Sequence, residues 1–185
     1  MIITHNREKL INAIIYFARN TNHCGKTKLL KLLYFLDFKH FKQTGKSVTG
    51  LDYFAWRMGP VPKDLFEEIT GRMKPDLKAA IHELAEEEFQ KIRPKKKFDN
   101  KYFSNREMKL LEEMAFIFKD AKAEDMIEST HLEKEPWDRT IKKKGEFQQI
   151  DYMLAIDSDI SSLSYDEAKE RMDERAEMVN IFGVG

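Results

Sequence analysis

One stretch near the N-terminus, residues 26–43, constrains the fold more than any other part of this sequence. Its apolar residues recur at three- and four-residue spacing and cover one broad side of an α-helix, while lysines line the other side. The apolar positions are Leu29, Leu30, Leu32, Leu33, Leu36 and Phe41, and the lysines are Lys28, Lys31, Lys39 and Lys42. The pattern predicts a helix that packs its apolar side against a core and presents its lysines to solvent.

Two residues of this helix break the pattern. Phe35 lies among the lysines, so we expect either that another element covers it or that it anchors a partner. Asp37 lies in the middle of the apolar side, where a buried charge is costly unless it is hydrogen-bonded. We expect Arg57 or a backbone N–H group to satisfy it, in a structural role.

The remaining pattern is mostly helical, and the segment at 150–156 fits either a strand or a helix. Helices are predicted over 7–20, 63–70, 76–87, 104–119, 123–133 and onward from 164, with a strand over 53–58 and a β-hairpin near 89–103. The fold class is therefore mainly α, with a small antiparallel sheet of two or three short strands. We expect one domain over 1–185 whose part at 150–180 is a C-terminal helical extension.

Charge and cysteine content limit the possible settings and partners. The single cysteine, the lack of a secretory leader and the lack of a membrane-length apolar segment predict a cytoplasmic protein with no membrane contact. The net charge is zero, but Lys and Arg outnumber Asp and Glu nine to two in residues 1–50, and are outnumbered ten to nineteen in residues 111–185. This polarity serves either internal attraction or the steering of a partner.

No catalytic or metal-binding motif stands out. The five histidines are dispersed, and Cys24 or His131 as a lone catalytic group is the weakest reading, so we expect neither an enzyme nor a cofactor. The basic tip Lys95–Lys97 of the predicted hairpin gives an alternative, an accessory protein of a phage or mobile element that grips nucleic acid. The neutral net charge argues against that alternative.

Three blocks of the sequence resemble a known family, the Panacea or SocA-like antitoxin domain of toxin–antitoxin operons, phages and other mobile elements. The first block is Lys28–Phe38 with the Thr44–Gly50 turn, and the second is Tyr53–Pro62. The third, a looser match, joins Ser129-Thr130-His131 to Glu135-Pro136-Trp137. The resemblance spans about residues 26–137.

The resemblance implies an α-rich antitoxin that binds and neutralises a cognate toxin, in one relative as an adaptor to a bacterial protease. It carries over no catalytic residue. The residues expected to contact a partner are Phe35, Lys31, Lys39, Trp56, Arg57 and Trp137. Those expected to hold the structure are Leu33, Tyr34, Asp37, Gly59, Pro60, Pro62 and His131. The two tryptophans are expected either to pack together in the core or to form a surface anchor.

Overall fold

Two long helices at the start of the chain organise the fold. The computed structural model describes residues 5–82, 91–132, 135–156 and 164–182. Helix α1 spans Asn6–Asn20 and helix α2 spans Lys26–Thr44. Gly45, which adopts the left-handed backbone conformation, ends α2. Helix α2 packs against α1, the sheet, two later helices and a late 3₁₀ turn, so it is buried on most sides.

A short hairpin and two short helices follow α2. Strand β1, Phe54–Trp56, pairs antiparallel with strand β2, Gly59–Val61, in the register that sets Ala55 opposite Pro60. Helix α3 spans Lys63–Thr70, and helix α4 spans Pro75–Ala80 with proline in its first turn. The hairpin turn therefore delivers β2 directly against α2.

The second half of the described chain is helical. Helix α5 spans Asn105–Ile117, α6 spans Ala123–Thr130, α7 spans Pro136–Lys144 and α8 spans Tyr165–Phe182. Two 3₁₀ turns, Asn100–Tyr102 and Tyr152–Ala155, precede α5 and α8. Capping boxes begin α5 and α8, with Ser104 and Ser164 exchanging hydrogen bonds with Glu107 and Glu167.

Among the residues that the structure describes, the buried apolar side chains form one large cluster and two small ones around α2. The large cluster joins α1 to the leucines of α2, to α3–α4 and to α5. A second, aromatic cluster joins Tyr34 and Phe38 to Tyr53 and extends to Tyr152 of the second 3₁₀ turn. A third sets Phe41 against Ala168 of α8. Helix α2 is thus the common support of every cluster.

The predicted fold class, mainly α with a small antiparallel sheet, is confirmed. The helices predicted over 7–20, 26–43, 63–70 and 104–119 form as expected, and α6 ends three residues before the predicted end. The segment at 150–156 becomes a 3₁₀ turn, and α7 was not predicted. The helix predicted over 76–87 ends at Ala80, beyond which 83–87 lie outside the described residues.

The β-hairpin lies at 54–61 and not, as predicted, near 89–103. Residues 89 and 90 are outside the described ranges, and Lys91 and Pro94 make isolated bridges to Gly25 and Ile81, whereas the predicted hairpin pairs 89–93 with 98–103. The stretch from 100 to 102 is a 3₁₀ turn capped by the Asp99 carboxylate. Its aromatic neighbours Phe98 and Phe103 stack on each other, and Phe98 also packs on Tyr16, so apolar content alone does not indicate a strand here.

Candidate functional site

The carboxylate of Asp37 is buried and fully partnered. It is completely inaccessible to solvent and accepts hydrogen bonds from the backbone N–H groups of Val48 and Thr49, both at 2.8 Å, from the Thr49 hydroxyl, and from the Tyr53 hydroxyl at 2.7 Å. Burial still raises the pKa of Asp37 to about 6. The carboxylate thereby fastens the loop after α2 to the helix. Of the two partners expected for Asp37, the backbone N–H groups are the ones that bind it. The alternative partner, Arg57, lies exposed at the hairpin turn.

One and a half turns earlier on α2, the ammonium group of Lys31 is also buried. Its Nζ donates a hydrogen bond of 2.8 Å to the carbonyl of Pro60 in β2, and burial lowers its pKa from 10.5 to about 7. Lys28 is buried as well, and its Nζ donates to the carbonyls of Asn22, Lys119 and Ala121. The prediction that the lysine side faces solvent is therefore wrong for these two residues. Their amines reach carbonyl groups of distant segments, which the charge pattern of the helix alone does not reveal.

Gly59 lets β2 and α6 approach Lys31 closely. Its φ is +96°, and a Cβ atom placed there would lie 2.6 Å from the Thr130 hydroxyl oxygen and 3.0 Å from Cε and Nζ of Lys31. A side chain at this position would therefore meet both neighbours while adopting a strained backbone conformation. The Gly-Pro block thus joins the middle of α2 to the end of α6.

The third sequence block, Ser129–His131 with Glu135–Trp137, packs next to the hairpin that carries Gly59. The ring of His131 stacks on Trp137 with centroids 3.8 Å apart, and Trp137 Nε1 donates to the Trp56 carbonyl at 2.9 Å. Burial and the charge of Lys31 lower the pKa of His131. The two tryptophan rings do not stack on each other, because Trp56 packs on Phe66 and Phe147. Three blocks far apart in sequence therefore meet in one place, which we call the motif centre: Lys31, Tyr34, Gly59, Pro60, Thr130, His131 and Trp137.

Two polar atoms of the motif centre lack a hydrogen-bond partner among the residues that the structure describes. They are the Tyr34 hydroxyl and Nε2 of His131, both inaccessible to solvent. The backbone N–H of Trp137 lies near the Tyr34 hydroxyl but does not meet hydrogen-bond geometry. Burial and the charge of Glu135 raise the pKa of this hydroxyl. The centre is therefore less completely paired than the Asp37 site.

A groove of about 450 Å³ runs beside the motif centre, between the second half of α2, the end of α5, the start of α7 and the second 3₁₀ turn. We call it the α2–α5 groove. Its apolar lining includes Tyr34, Phe35, Phe38, Ile117 and Phe118, and lysines stand at its rim. Phe35 is half-buried and stacks on Phe118 with ring centroids 4.9 Å apart. Another element therefore partly covers it, which is the first of the two expectations for this residue.

The groove carries both charge and exposed apolar surface. Lys39 and Lys42 of α2 line it, and Lys39 forms a 2.5 Å ion pair with Glu113 of α5. At the end of α5, Ile117 is 54% exposed and the neighbouring Phe116 is 82% exposed. The groove therefore combines an apolar floor with charged side chains of both signs, among them Lys39 and Glu135.

The predicted partner residues fall into two sets. Phe35 and Lys39 line the groove, whereas Trp56 and Arg57 lie on the hairpin and Trp137 lies between the two. Lys31 has almost no exposed surface. Among the predicted structural residues, Leu33 is fully buried and Pro62 immediately precedes α3. Sequence reasoning missed Ile117 and Phe118, for which the amphipathic pattern of α5 was the available signal.

The lone cysteine, the dispersed acidic and histidine side chains and the basic segment Lys95–Lys97 are not assembled into a site in the described part of the chain. In the described ranges, no group of three or more His, Cys, Asp or Glu side chains is placed to hold a metal ion. Cys24 is fully buried, and burial raises the pKa of its thiol, which works against reactivity. Lys95–Lys97 stay exposed, but they lie on a bend and not at the tip of a hairpin. No helix in the described part of the chain is long and apolar enough to cross a membrane.

In the described part of the chain, the antiparallel hairpin and the short helix α6 pack against one central helix, α2. Residues 29–138, more than half of the chain, match the family described as Antitoxin SocA-like, Panacea domain. The protein belongs to this family, which supports an antitoxin-type role with a toxin as the general class of partner. No curated protein and no solved structure matches the chain.

Proposed function

We propose that this protein is an antitoxin that neutralises a cognate toxin by binding it directly, without catalysing a reaction. The family match carries the proposal. The structure supports it with a preformed α2–α5 groove, lined by aromatic rings and bordered by lysines, which offers a partner both apolar contact and charge.

We place this encounter in the cytoplasm. The buried thiol of Cys24 suits a reducing compartment, because it neither needs nor offers a disulfide. In this reading the buried charges of α2 hold the domain together, and the exposed surface of the domain meets the toxin.

Co-expression with the product of the adjacent gene tests the proposed function. We expect that product to arrest growth when expressed alone and to be harmless beside this protein. Titrating the expression of this protein should give protection only near or above an equal amount, as stoichiometric binding requires. Protection at a small fraction of the toxin level would indicate catalysis, and no protection at any level would contradict the proposal.

The same cells distinguish sequestration from delivery to a protease. We expect the toxin to remain present, as seen by immunoblot, and to co-purify with this protein. A toxin whose level falls only when this protein is present would instead indicate the adaptor mode that the family resemblance allows.

A further inference from the structure

We propose that this protein forms a dimer in which helix α8 of each copy docks on the hairpin surface of the other copy. The hairpin surface is the area around the β1–β2 turn, made of Trp56, Arg57, Met58, Phe66 and Phe147. The inference goes beyond the proposed function, because the dimer forms without a toxin. It depends on two exposed surfaces of the chain that match each other in apolar character and in charge.

Phe147 combines two unfavourable features on the hairpin surface. Its side chain is 64% exposed, and its backbone has a φ of 63°, which is rare for a bulky residue. Two hydrogen bonds of 2.8 Å hold it there, because its N–H donates to the Ala55 carbonyl and the Ala55 N–H donates to the Gln148 carbonyl. Backbone strain and exposed apolar surface both lower the stability of a free monomer, and both are common at binding surfaces.

Further apolar side chains surround this ring. Trp56 packs on Phe147 and on Phe66, with ring centroids 6.1 Å and 5.0 Å away. Met58, at the hairpin turn, is 59% exposed. The apolar side of a helix laid across these side chains removes them from water, which favours association.

The hairpin surface has an excess of positive charge. Arg57 is exposed at the turn, and the exposed Lys143 and Lys144 end α7 just before Phe147. None of these three cations makes an ion pair with a residue that the structure describes. Glu146 is the exposed carboxylate among them. A partner with unpaired carboxylates beside an apolar stripe therefore complements this surface.

Helix α8 has the complementary apolar side. Tyr165, Ala168, Met172 and Ala176 recur at three- and four-residue spacing, so they lie along one side of the helix. Ala168 is the one buried residue among the described side chains of α8, whereas Tyr165 is 57% and Met172 is 37% exposed. Most of this stripe is therefore uncovered in one molecule, although helices in proteins draw most of their stability from packing of such a face.

Carboxylates flank the stripe on one side. Asp166, Asp173 and Glu177 each directly follow a residue of the stripe, so all three are turned by about 100° from it in the same direction. They are exposed and make no ion pair with a described residue. Lys169 is the base on this flank. Three carboxylates and one base on α8 thus face three cations and one carboxylate on the hairpin surface.

The two surfaces lie towards opposite ends of α2 in one molecule. Helix α8 is attached at the C-terminal end, where Arg171 donates a 2.7 Å hydrogen bond to the Thr44 carbonyl. The hairpin surface extends to the N-terminal end, where the Lys26 ammonium lies over the Phe66 ring. These ends are about 27 Å apart at a rise of 1.5 Å per residue. Each surface is therefore matched by a second copy, and two copies make both contacts about a two-fold axis.

Sedimentation velocity of the purified full chain over a range of concentrations tests the dimer. We expect a dimer at low ionic strength that dissociates as salt is added, because the matched charges are exposed. Phe147→Asn should weaken the dimer about tenfold or more while leaving the fold intact, since asparagine tolerates a positive φ. Phe116→Asn is the matched control, because it removes an 82% exposed ring of α5 outside both surfaces. Circular dichroism and melting temperature establish that each variant is folded.

A charge exchange tests the pairing of the two surfaces. One variant carries Arg57→Glu and Lys144→Glu, and the other carries Asp173→Lys and Glu177→Lys. We expect each variant alone to be monomeric, because like charges meet at both contacts. An equimolar mixture should recover the dimer, because both contacts then join opposite charges.

Three results would overturn the inference. They are a protein that stays monomeric at every concentration, a dimer that Phe147→Asn weakens no more than Phe116→Asn does, and a mixture of the exchanged variants that associates no better than either variant alone. The reversal Lys96→Glu with Lys97→Glu, on an exposed basic segment outside both surfaces, should leave the dimer intact. Loss of the dimer there would place the contact elsewhere and also overturn the inference. Since no toxin is used, these results and those of the co-expression test stand or fall separately.

Discussion

Two buried charges on helix α2, six residues apart, are treated in opposite ways by the rest of the chain. Asp37 receives four hydrogen bonds, from two backbone N–H groups and two hydroxyls, within one loop and the residue that follows it. Lys31 donates to one carbonyl, that of Pro60, and its neighbours in the motif centre include a tyrosine hydroxyl and a histidine nitrogen without partners among the described residues. The acid is therefore locked in place, and the base is held mainly by packing.

The number of hydrogen-bond partners decides what a buried charged residue contributes to the structure, and a helical pattern does not show that number. A fully partnered buried charge specifies one arrangement of the chain, because any other arrangement leaves several donors unsatisfied. A region with unpaired polar atoms stores unfavourable free energy, and such regions often lie at functional sites. In this molecule the less completely paired region borders the α2–α5 groove through Tyr34.

The largest effect we predict comes from removing the better-partnered charge. Asp37→Ala leaves two backbone N–H groups and two hydroxyls buried without an acceptor, so we expect the free energy of unfolding to fall by about 3–5 kcal/mol. Asp37→Asn keeps an acceptor oxygen and should cost clearly less. Urea denaturation of both variants measures the difference. Equal losses would show that the hydrogen bonds are not the source of the stability.

A second effect concerns the pH dependence contributed by Lys31. Its pKa is about 7 in the folded protein against an ordinary value of 10.5, so between these limits the unfolded chain binds the proton more readily. The stability that the neutral Lys31 amine contributes is therefore fully present above pH 10.5. It is lost as the pH falls through 7. From pH 7 to pH 9 we expect a gain of about 2–3 kcal/mol that Lys31→Met lacks. Parallel stability curves for the two proteins would contradict the burial of this charge.

The pH dependence contributed by Asp37 has the opposite sign. Its pKa is about 6 in the folded protein against 3.8 ordinarily, so the folded chain holds the proton more readily between these values. This contribution is present below pH 3.8 and is lost as the pH rises through 6. Relative to Asp37→Asn, we expect the unfolding free energy to fall by about 2 kcal/mol from pH 4 to pH 6. A flat difference between the two proteins would mean that the four hydrogen bonds fully offset the effect of burial on this pKa.

The smallest effect tests how tightly the motif centre is packed. Gly59 and Gly145 both have φ near +90°, but a Cβ atom at Gly145 would meet nothing within 4 Å, whereas one at Gly59 would meet Thr130 and Lys31. Both alanine variants place a side chain at a positive φ, so the excess cost of Gly59→Ala reports mainly the close approach. We expect an excess of about 1–2 kcal/mol in the free energy of unfolding. Equal costs would mean that the neighbours move aside freely.

Much of the helical framework could be predicted from the sequence, because it depends on residues that are close together along the chain. The period of α2, its stop at Gly45 and the capping box of Ser104 and Glu107 all depend on residues within a few positions of one another. The burial of Asp37 also depends on a nearby segment. The donors that need its carboxylate oxygens lie only eleven to sixteen residues further along the chain. Local patterns therefore fixed these elements well.

The rest depended on contacts between distant segments. Lys28 and Lys31 appear solvent-facing on a helical wheel, and only the approach of the Pro60 and Ala121 carbonyls explains their burial. The β-strand at Gly59–Val61 forms although it contains proline, because it lies at the edge of a two-stranded sheet. The groove itself needs α2, α5 and α7 together, so no single segment could reveal it.

Hydrogen exchange, followed by mass spectrometry with and without the product of the adjacent gene, tests the central claim most directly. If this protein neutralises the toxin by binding it directly, amide protection should increase in peptides from a continuous part of its surface. Exchange that is identical with and without that product would contradict the account.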